Sequence, residues 1–358
     1  MSKLFKIIIS GPNCSGKTTL LHLLDGETNL VNFYHDKILN LFKEFFLSKK
    51  FYYHEKDLKF DKKIVKVKSN LLKKIIYINI PMFKSKLYNV GYASLEDGVF
   101  YNEAPAHYSI KSFHEIKKHE INFNFQNFDD TFKKLVFKNS SRFFFYEQII
   151  DFYCYSFQKN IKKINDKKFS NIIFKSPNEL QSIKDNLQEL KSAKFIYVKR
   201  DLLGLIKSRA MDKYIRDKHI KKKDYQRYFR SILFSKYIEN IKKNYLEINL
   251  LKKKYSKKLF VTSIEKIIYD KKNEMDKILN FLNIEKKNIF FKATFNGLKV
   301  SENHTSNIND DKILISKYSM DLYNLRINGF KFYLQNFSKI SVINLIFFLY
   351  IKLKNFII

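Results

Sequence analysis

IIISGPNCSGKTTLLHLL, residues 7–24, is the stretch from which the rest of the chain is read. Gly11, Gly16, Lys17 and Thr18 fit the spacing G-x-x-x-x-G-K-[ST], with a β-branched run before them and a helical pattern after. A glycine-rich turn between a strand and a helix exposes consecutive backbone N–H groups, and the positive end of the helix adds its field. The pattern therefore predicts a cradle for phosphate-type oxygens. Lys17 supplies a mobile cation, and Thr18 a hydroxyl that would bind magnesium if an ion is present. The bland alternative is a structural strand–turn–helix corner.

Working outward, residues 4–9 read as a strand and 17–25 as a helix. LVNFY, 30–34, reads as a second strand, and DKILNLFKEFFL from Asp36 as an amphipathic helix. Residues 50–140 are rich in Lys and aromatics with weak periodicity, and read as an insertion or substrate-facing region. The run 143–165 reads as one long helix. Strands at 170–175, 194–199 and 258–263 then alternate with helices at 178–190 and 202–217, a long helical stretch at 224–254 and another after 263. Such alternation predicts an α/β fold: a P-loop-type parallel sheet flanked by helices on both faces, with a helical and aromatic insertion and a helical C-terminal extension. The expected division is one domain over 1–310 and an extension over 311–358.

Composition bounds the partners. The net charge is +33, from 68 basic and 35 acidic residues, but only seven of the basic residues are Arg. Gly numbers 8 and Pro 4, where average usage gives roughly 25 and 18. Trp is absent. Depletion of Gly, Pro, Arg and Trp with excess Lys, Ile, Asn and Phe is what AT-rich coding produces, so the charge is weak ground for a specific nucleic-acid partner. It still attracts anions. A hydrophobic content of 45% excludes general disorder. Cys14 and Cys154 have no metal-ligand spacing and suggest a reducing, cytoplasmic compartment. The apolar run ISVINLIFFLYI, 340–351, is 12 residues long, short of the about 20 that span a bilayer. It reads as a core helix or, with Lys339, Lys352 and Lys354, as a peripheral contact of 340–358 with the inner face of a membrane.

An ATP- or GTP-driven enzyme usually holds magnesium through an Asp ending a second hydrophobic strand. The strand ends here read FKSPN, YVKRD, INIPM and VTSIE, and none has Asp directly after the apolar run. Asp201 follows Lys199 and Arg200, which would compete with a metal for its carboxylate.

The second half carries a resemblance. IIFKSPNEL, 172–180, followed by KFIYVKRDLLGLIKSR, 194–209, resembles the donor-binding region of PAPS-dependent sulfotransferases. In that family a K-x-P segment precedes a hydrophobic strand ending in Arg-Asp, with a Ser eight positions after the Arg. Arg200 and Ser208 have that spacing, 208 − 200 = 8. KKLFVTSIEKIIYDKKNEMDKILNFLNI, 257–284, resembles the family's strand, acidic turn and following helix, with Glu265 and Lys266 at the turn. TFNGLKVSENHTSN, 294–307, resembles its late loop over the nucleotide, and LLDGETNL its segment after the first loop. The resemblance covers roughly 1–40 and 170–310. The family usually has Lys or Arg where this chain has Cys14, and often Thr where it has Lys17. Either the cation has moved three positions, 17 − 14 = 3, or activity is altered or lost.

The resemblance implies PAPS (3′-phosphoadenosine 5′-phosphosulfate) as sulfuryl donor. Gly11, Asn13, Cys14, Ser15, Gly16, Lys17, Thr18 and Thr19 would hold its 5′ end, and Arg200 and Ser208 its 3′-phosphate. No metal is expected, because side chains do the neutralising. The family's base lies near the end of the second strand, where this chain has His35 and then Asp36. Glu103, His107 and His114 are weaker candidates. The acceptor would be a hydroxyl or amine of a carbohydrate or lipid-linked glycan. The rival readings are a P-loop kinase or NTPase using Mg-ATP, motivated by the full loop match, and a non-catalytic basic nucleotide-binding protein, motivated by +33 and Cys14.

Overall fold

Three consecutive isoleucines, Ile7 to Ile9, form the middle of the fold, and all three are buried. A β-branched run apolar on both sides suits a parallel strand covered on both faces. The computed structural model describes residues 5–25, 30–33, 58–61, 64–68, 131, 134, 143–160, 171–175, 180–216, 224–284, 294–295, 298–299 and 315–335.

In chain order, β1 (Phe5–Ser10) leads through a glycine-containing turn to α1 (Lys17–Asp25) and then β2 (Leu30–Phe33). The strands β3 (Leu58–Asp61), β4 (Ile64–Lys68) and β5 (Phe143–Phe145) follow, with α2 (Tyr146–Asn160). Next come β6 (Asn171–Lys175), α3 (Leu180–Glu189), β7 (Ala193–Lys199), α4 (Leu202–Arg216), α5 (Tyr225–Leu233) and α6 (Lys236–Lys254). β8 (Leu259–Ser263), α7 (Ile264–Tyr269) and α8 (Lys271–Leu282) precede the short pair β9 (Thr294–Phe295) and β10 (Leu298–Lys299), and α9 (Lys317–Gln335) is the last element described.

The main sheet has the order β2–β6–β1–β7–β8, and every neighbouring pair is parallel. This is the α/β architecture expected from the alternation of strands and helices. From β1 the chain moves toward β2, and from β7 it moves the opposite way, toward β8. The reversal falls between β1 and β7, so their carboxyl ends flank a topological switch point, where open α/β sheets bind ligands.

The chain divides into two compact units, Met1–Lys199 with Ile248–Thr305, and Arg200–Glu247 with Ser306–Ile358. The first holds the sheet. At the amino end of β1, Lys6 is fully buried, and its ammonium pairs with Asp151 and lies 3.7 Å from Glu147. Asp151 and Glu147 share one face of α2 at a spacing of four. A buried charge persists only when it is paired. The second unit packs α4, α5 and α9 around Ile206, Ala210, Phe229, Leu233 and Leu322.

Three local expectations change. The run from 143 begins as a strand, because Phe143–Phe145 pair antiparallel with Lys66–Lys68, and aromatic side chains suit a pleated surface. The 224–254 stretch is two helices. After Leu233 the hydroxyl of Ser235 donates to the Ile232 carbonyl at 2.6 Å, offering that carbonyl a partner other than the helix ladder. The helical run after 263 breaks at Asp270, giving α7 and α8.

Candidate functional site

Ser10, the last residue of β1, is in register with Tyr197 of β7, so the loop after β1 starts beside the carboxyl end of its neighbour. Gly11 has φ +146°, and a Cβ there would stand 2.2 Å from the Val198 carbonyl oxygen. Only glycine allows so close a crossing of another strand's backbone. Gly16 has φ +88°, and its Cβ would meet Ile264 Cδ1 at 2.4 Å. Ile264 opens α7, so the segment containing Glu265 and Lys266 begins against the loop. Between the glycines, Ser15 N–H donates to the Pro12 carbonyl at 3.1 Å, and Cys14 adopts a left-handed φ of +67°. Leu20 N–H bonds to the Gly16 carbonyl at 3.1 Å, which starts the helix. The loop is therefore a strand-to-helix turn with its glycines at the two places where a side chain would collide.

Lys17 is 7% exposed, and its Nζ donates to the Gly11 carbonyl at 2.6 Å. The cation thus bridges the loop from its helix end to its strand end. Ser10 and Ser15 are buried, and their hydroxyl oxygens have no hydrogen-bond partner among the described residues. An unpaired buried hydroxyl costs about 1–3 kcal/mol. An anion in the loop would offer such groups an acceptor. Asn13 is exposed, and Cys14, Thr18 and Thr19 are half-buried. The first turn of α1 contains no acidic residue to oppose an anion.

At the end of β7, Lys199 donates to Asn249 Oδ1 at 2.7 Å. Burial lowers its pKa, with the Lys252 charge acting in the same direction. The second unit begins at Arg200. The Arg200 N–H donates to the hydroxyl of Tyr245 at 3.0 Å, and that hydroxyl donates to the Arg200 carbonyl at 2.8 Å. Asp201 Oδ1 accepts from the Gly204 N–H at 2.7 Å, so Asp201 caps α4. Ser208 lies half-buried in the middle of α4. The sequence contained no signal for Tyr245: it lies 45 residues from its partner in a Lys-rich helix.

His35, Asp36, Glu103, His107 and His114 lie outside the described residues. So do Ser176 and Pro177 of the K-x-P segment, most of 294–307, and 340–358. Among the described residues no group of three or more His, Cys, Asp or Glu could hold a metal ion, and no helix is long and apolar enough to cross a membrane.

No family model matches the chain, and no curated protein matches it. Among solved structures it is similar to the sulfotransferase domain from the curacin biosynthetic pathway, with 13% identity over 92% of this chain and 96% of that one, at a TM-score of 0.42. It is also similar to the sulfotransferase domain of the Synechococcus PCC 7002 olefin synthase, with 13% identity, 94% and 95% coverage and a TM-score of 0.39. A third is sulfotransferase STF9 from Mycobacterium avium, with 10% identity, 88% and 78% coverage and a TM-score of 0.38. The likeness is remote and runs along most of the chain.

Proposed function

We propose that the protein is a sulfotransferase that moves a sulfuryl group from PAPS to a hydroxyl or amine of a carbohydrate or lipid-linked glycan. The observation that carries this reading is the loop at the switch point. Its cation is drawn in against Gly11, and two buried serine hydroxyls beside it lack partners among the described residues. Such a loop is suited to a tetrahedral anion, and the Arg200–Ser208 spacing suits a donor with a second phosphate.

In this reading the acceptor oxygen or nitrogen attacks sulfur in line as the bond from sulfur to the 5′-phosphate oxygen breaks. Lys17 exchanges the Gly11 carbonyl for the departing phosphate oxygen, whose charge it neutralises. Loop N–H groups and the Thr18 and Thr19 hydroxyls hold the phosphate. Arg200 supplies a planar, permanently charged fork for the 3′-phosphate, assisted by Ser208. His35, with Asp36 second, takes the acceptor proton, as an imidazole suited to neutral pH. These groups neutralise the donor without a metal ion. The compartment is the cytoplasm, with 340–358 as a peripheral contact on the membrane's inner face.

Calorimetry with adenosine 3′,5′-bisphosphate and with Mg-ATP tests the reading. The bisphosphate is expected to bind at least tenfold more tightly. A preference for Mg-ATP would overturn the proposal in favour of a kinase or NTPase, the alternative that the full G-x-x-x-x-G-K-T match supports.

A further inference from the structure

We infer that Tyr245 and Gly204 are positioning residues that fix Arg200 for recognition of a ribose 3′-phosphate. The inference rests on the role proposed above for Arg200.

Tyr245 acts on the backbone. Its hydroxyl accepts from the Arg200 N–H at 3.0 Å and donates to the Arg200 carbonyl at 2.8 Å. Both main-chain groups of the residue that follows β7 and precedes the cap of α4 are thereby held by one side chain. One hydroxyl that engages the N–H and the carbonyl of the same residue limits rotation on either side of its Cα.

Gly204 acts on the side chain. A Cβ at this position would stand 2.8 Å from Arg200 Nε and 2.6 Å from Asp201 Oδ2. The first turn of α4 therefore has a notch against which the guanidinium stem lies, beside the carboxylate that caps the helix. Gly204 shows no positive φ, so its value is the space it leaves. A guanidinium recognises phosphate through two parallel N–H bonds, and an ångström of displacement costs that fork. Residues 200, 204 and 245 all belong to one compact unit.

The test uses the full chain and two probes, adenosine 3′,5′-bisphosphate and adenosine 5′-monophosphate, bound to wild type, Tyr245→Phe and Gly204→Ala. Wild type is expected to prefer the bisphosphate. Each variant is expected to lose about tenfold of that preference, while the monophosphate binds within about twofold of wild type. Thermal midpoints separate positioning from structure. Tyr245→Phe should lower the midpoint, whereas in Gly204→Ala the gain in helix propensity offsets the crowding of the Asp201 cap and the midpoint should stay near wild type. A shared loss of 3′-phosphate preference in variants with unlike stability belongs to the placement of Arg200. A wild type indifferent to the 3′-phosphate would overturn the role of Arg200 and this inference with it. A discriminating wild type whose two variants discriminate equally would overturn the inference alone. If one variant keeps the preference, its residue has no positioning role.

Discussion

Lys17 Nζ donates to the carbonyl oxygen of Gly11 at 2.6 Å, so the loop's cation is tied to the loop's own first residue. This bond partly neutralises a buried ammonium, and in the reading proposed above a donor oxygen takes the place of the Gly11 carbonyl beside it. Replacing Lys17 with Met keeps most of the stem's packing and removes the charge. A hydrogen bond to a charged group contributes about 1.5–3 kcal/mol, so adenosine 3′,5′-bisphosphate should bind roughly ten- to a hundredfold more weakly. Loss of a charge-stabilising donor lowers turnover by about 10²–10³. Calorimetry checks the first figure, and transfer from labelled PAPS in an acceptor screen checks the second. Unchanged affinity in Lys17→Met would remove the lysine from the anion site.

The two glycines of the loop should not tolerate alanine equally. At Gly11 the new Cβ meets a main-chain carbonyl at 2.2 Å, which cannot rotate away. At Gly16 it meets Ile264 Cδ1 at 2.4 Å and Cγ1 at 2.5 Å, which a new rotamer could move, and Cβ at 2.9 Å, which yields only by a smaller shift of the helix start than a main-chain clash at 2.2 Å demands. Both positions also carry the cost of a positive φ, about 1–3 kcal/mol. Gly11→Ala should therefore lower the thermal midpoint clearly more than Gly16→Ala, and it alone should shift the β1–β7 register seen by amide exchange. Equal midpoints would contradict the close crossing over Val198.

The parallel sheet could be read in advance because its strands are continuous apolar runs of β-branched and aromatic residues, such as Ile7–Ile9 and Phe195–Val198. Their burial on both faces removes any need for alternation. The glycine loop was legible for a steric reason, since Gly11 and Gly16 stand where no other residue fits. Other features escaped because they depend on tertiary contacts. Phe143–Phe145 run without a break into the helical pattern that follows, and their strand is fixed by pairing with Lys66–Lys68. Tyr245 bears on Arg200 across 45 residues with no spacing rule to announce it. Lys6 looks like an exposed strand residue until Asp151 and Glu147 are folded over it.

The pair of buried Lys6 and half-buried Asp151 lies at the amino end of β1, opposite the end that opens into the loop. Removing one partner of a buried pair leaves an uncompensated charge and costs about 3–5 kcal/mol. Asp151 is partly exposed and Glu147 remains nearby, so Asp151→Asn should cost less, about 1–3 kcal/mol. Urea unfolding measures the loss. Bisphosphate affinity of the folded variant should be unchanged. A loss of affinity without loss of stability would show that this cluster acts on the loop.

Glu147 gives the chain an acid-sensitive contact. Burial alone would raise its pKa, but the Ser192 hydroxyl and N–H, at 2.6 and 2.7 Å, together with the Lys6 charge, outweigh burial and hold it below the ordinary value. A carboxyl depressed in the folded state stabilises the fold above its unfolded pKa and loses that contribution as pH falls through the folded pKa. Unfolding free energy should therefore fall more steeply in wild type than in Glu147→Gln as pH drops from about 5 to about 3. Parallel curves for the two proteins would refute the assignment.

The two thiols should behave oppositely toward alkylation. Cys154 is buried, and desolvation pushes its thiol well above its ordinary pKa, so little thiolate forms and no reagent reaches it. Cys14 is half-buried in the loop at a φ of +67°. Native protein treated with iodoacetamide should take one label per chain, at Cys14, and unfolded protein two. If the loop holds the donor's phosphate, saturating adenosine 3′,5′-bisphosphate should slow labelling of Cys14 at least tenfold, and the alkylated protein should no longer bind it. Cys14→Gly relieves the left-handed backbone, so it should fold at least as well as wild type and keep its affinity. Labelling of Cys14 at the same rate with and without the bisphosphate would exclude the loop from the binding site.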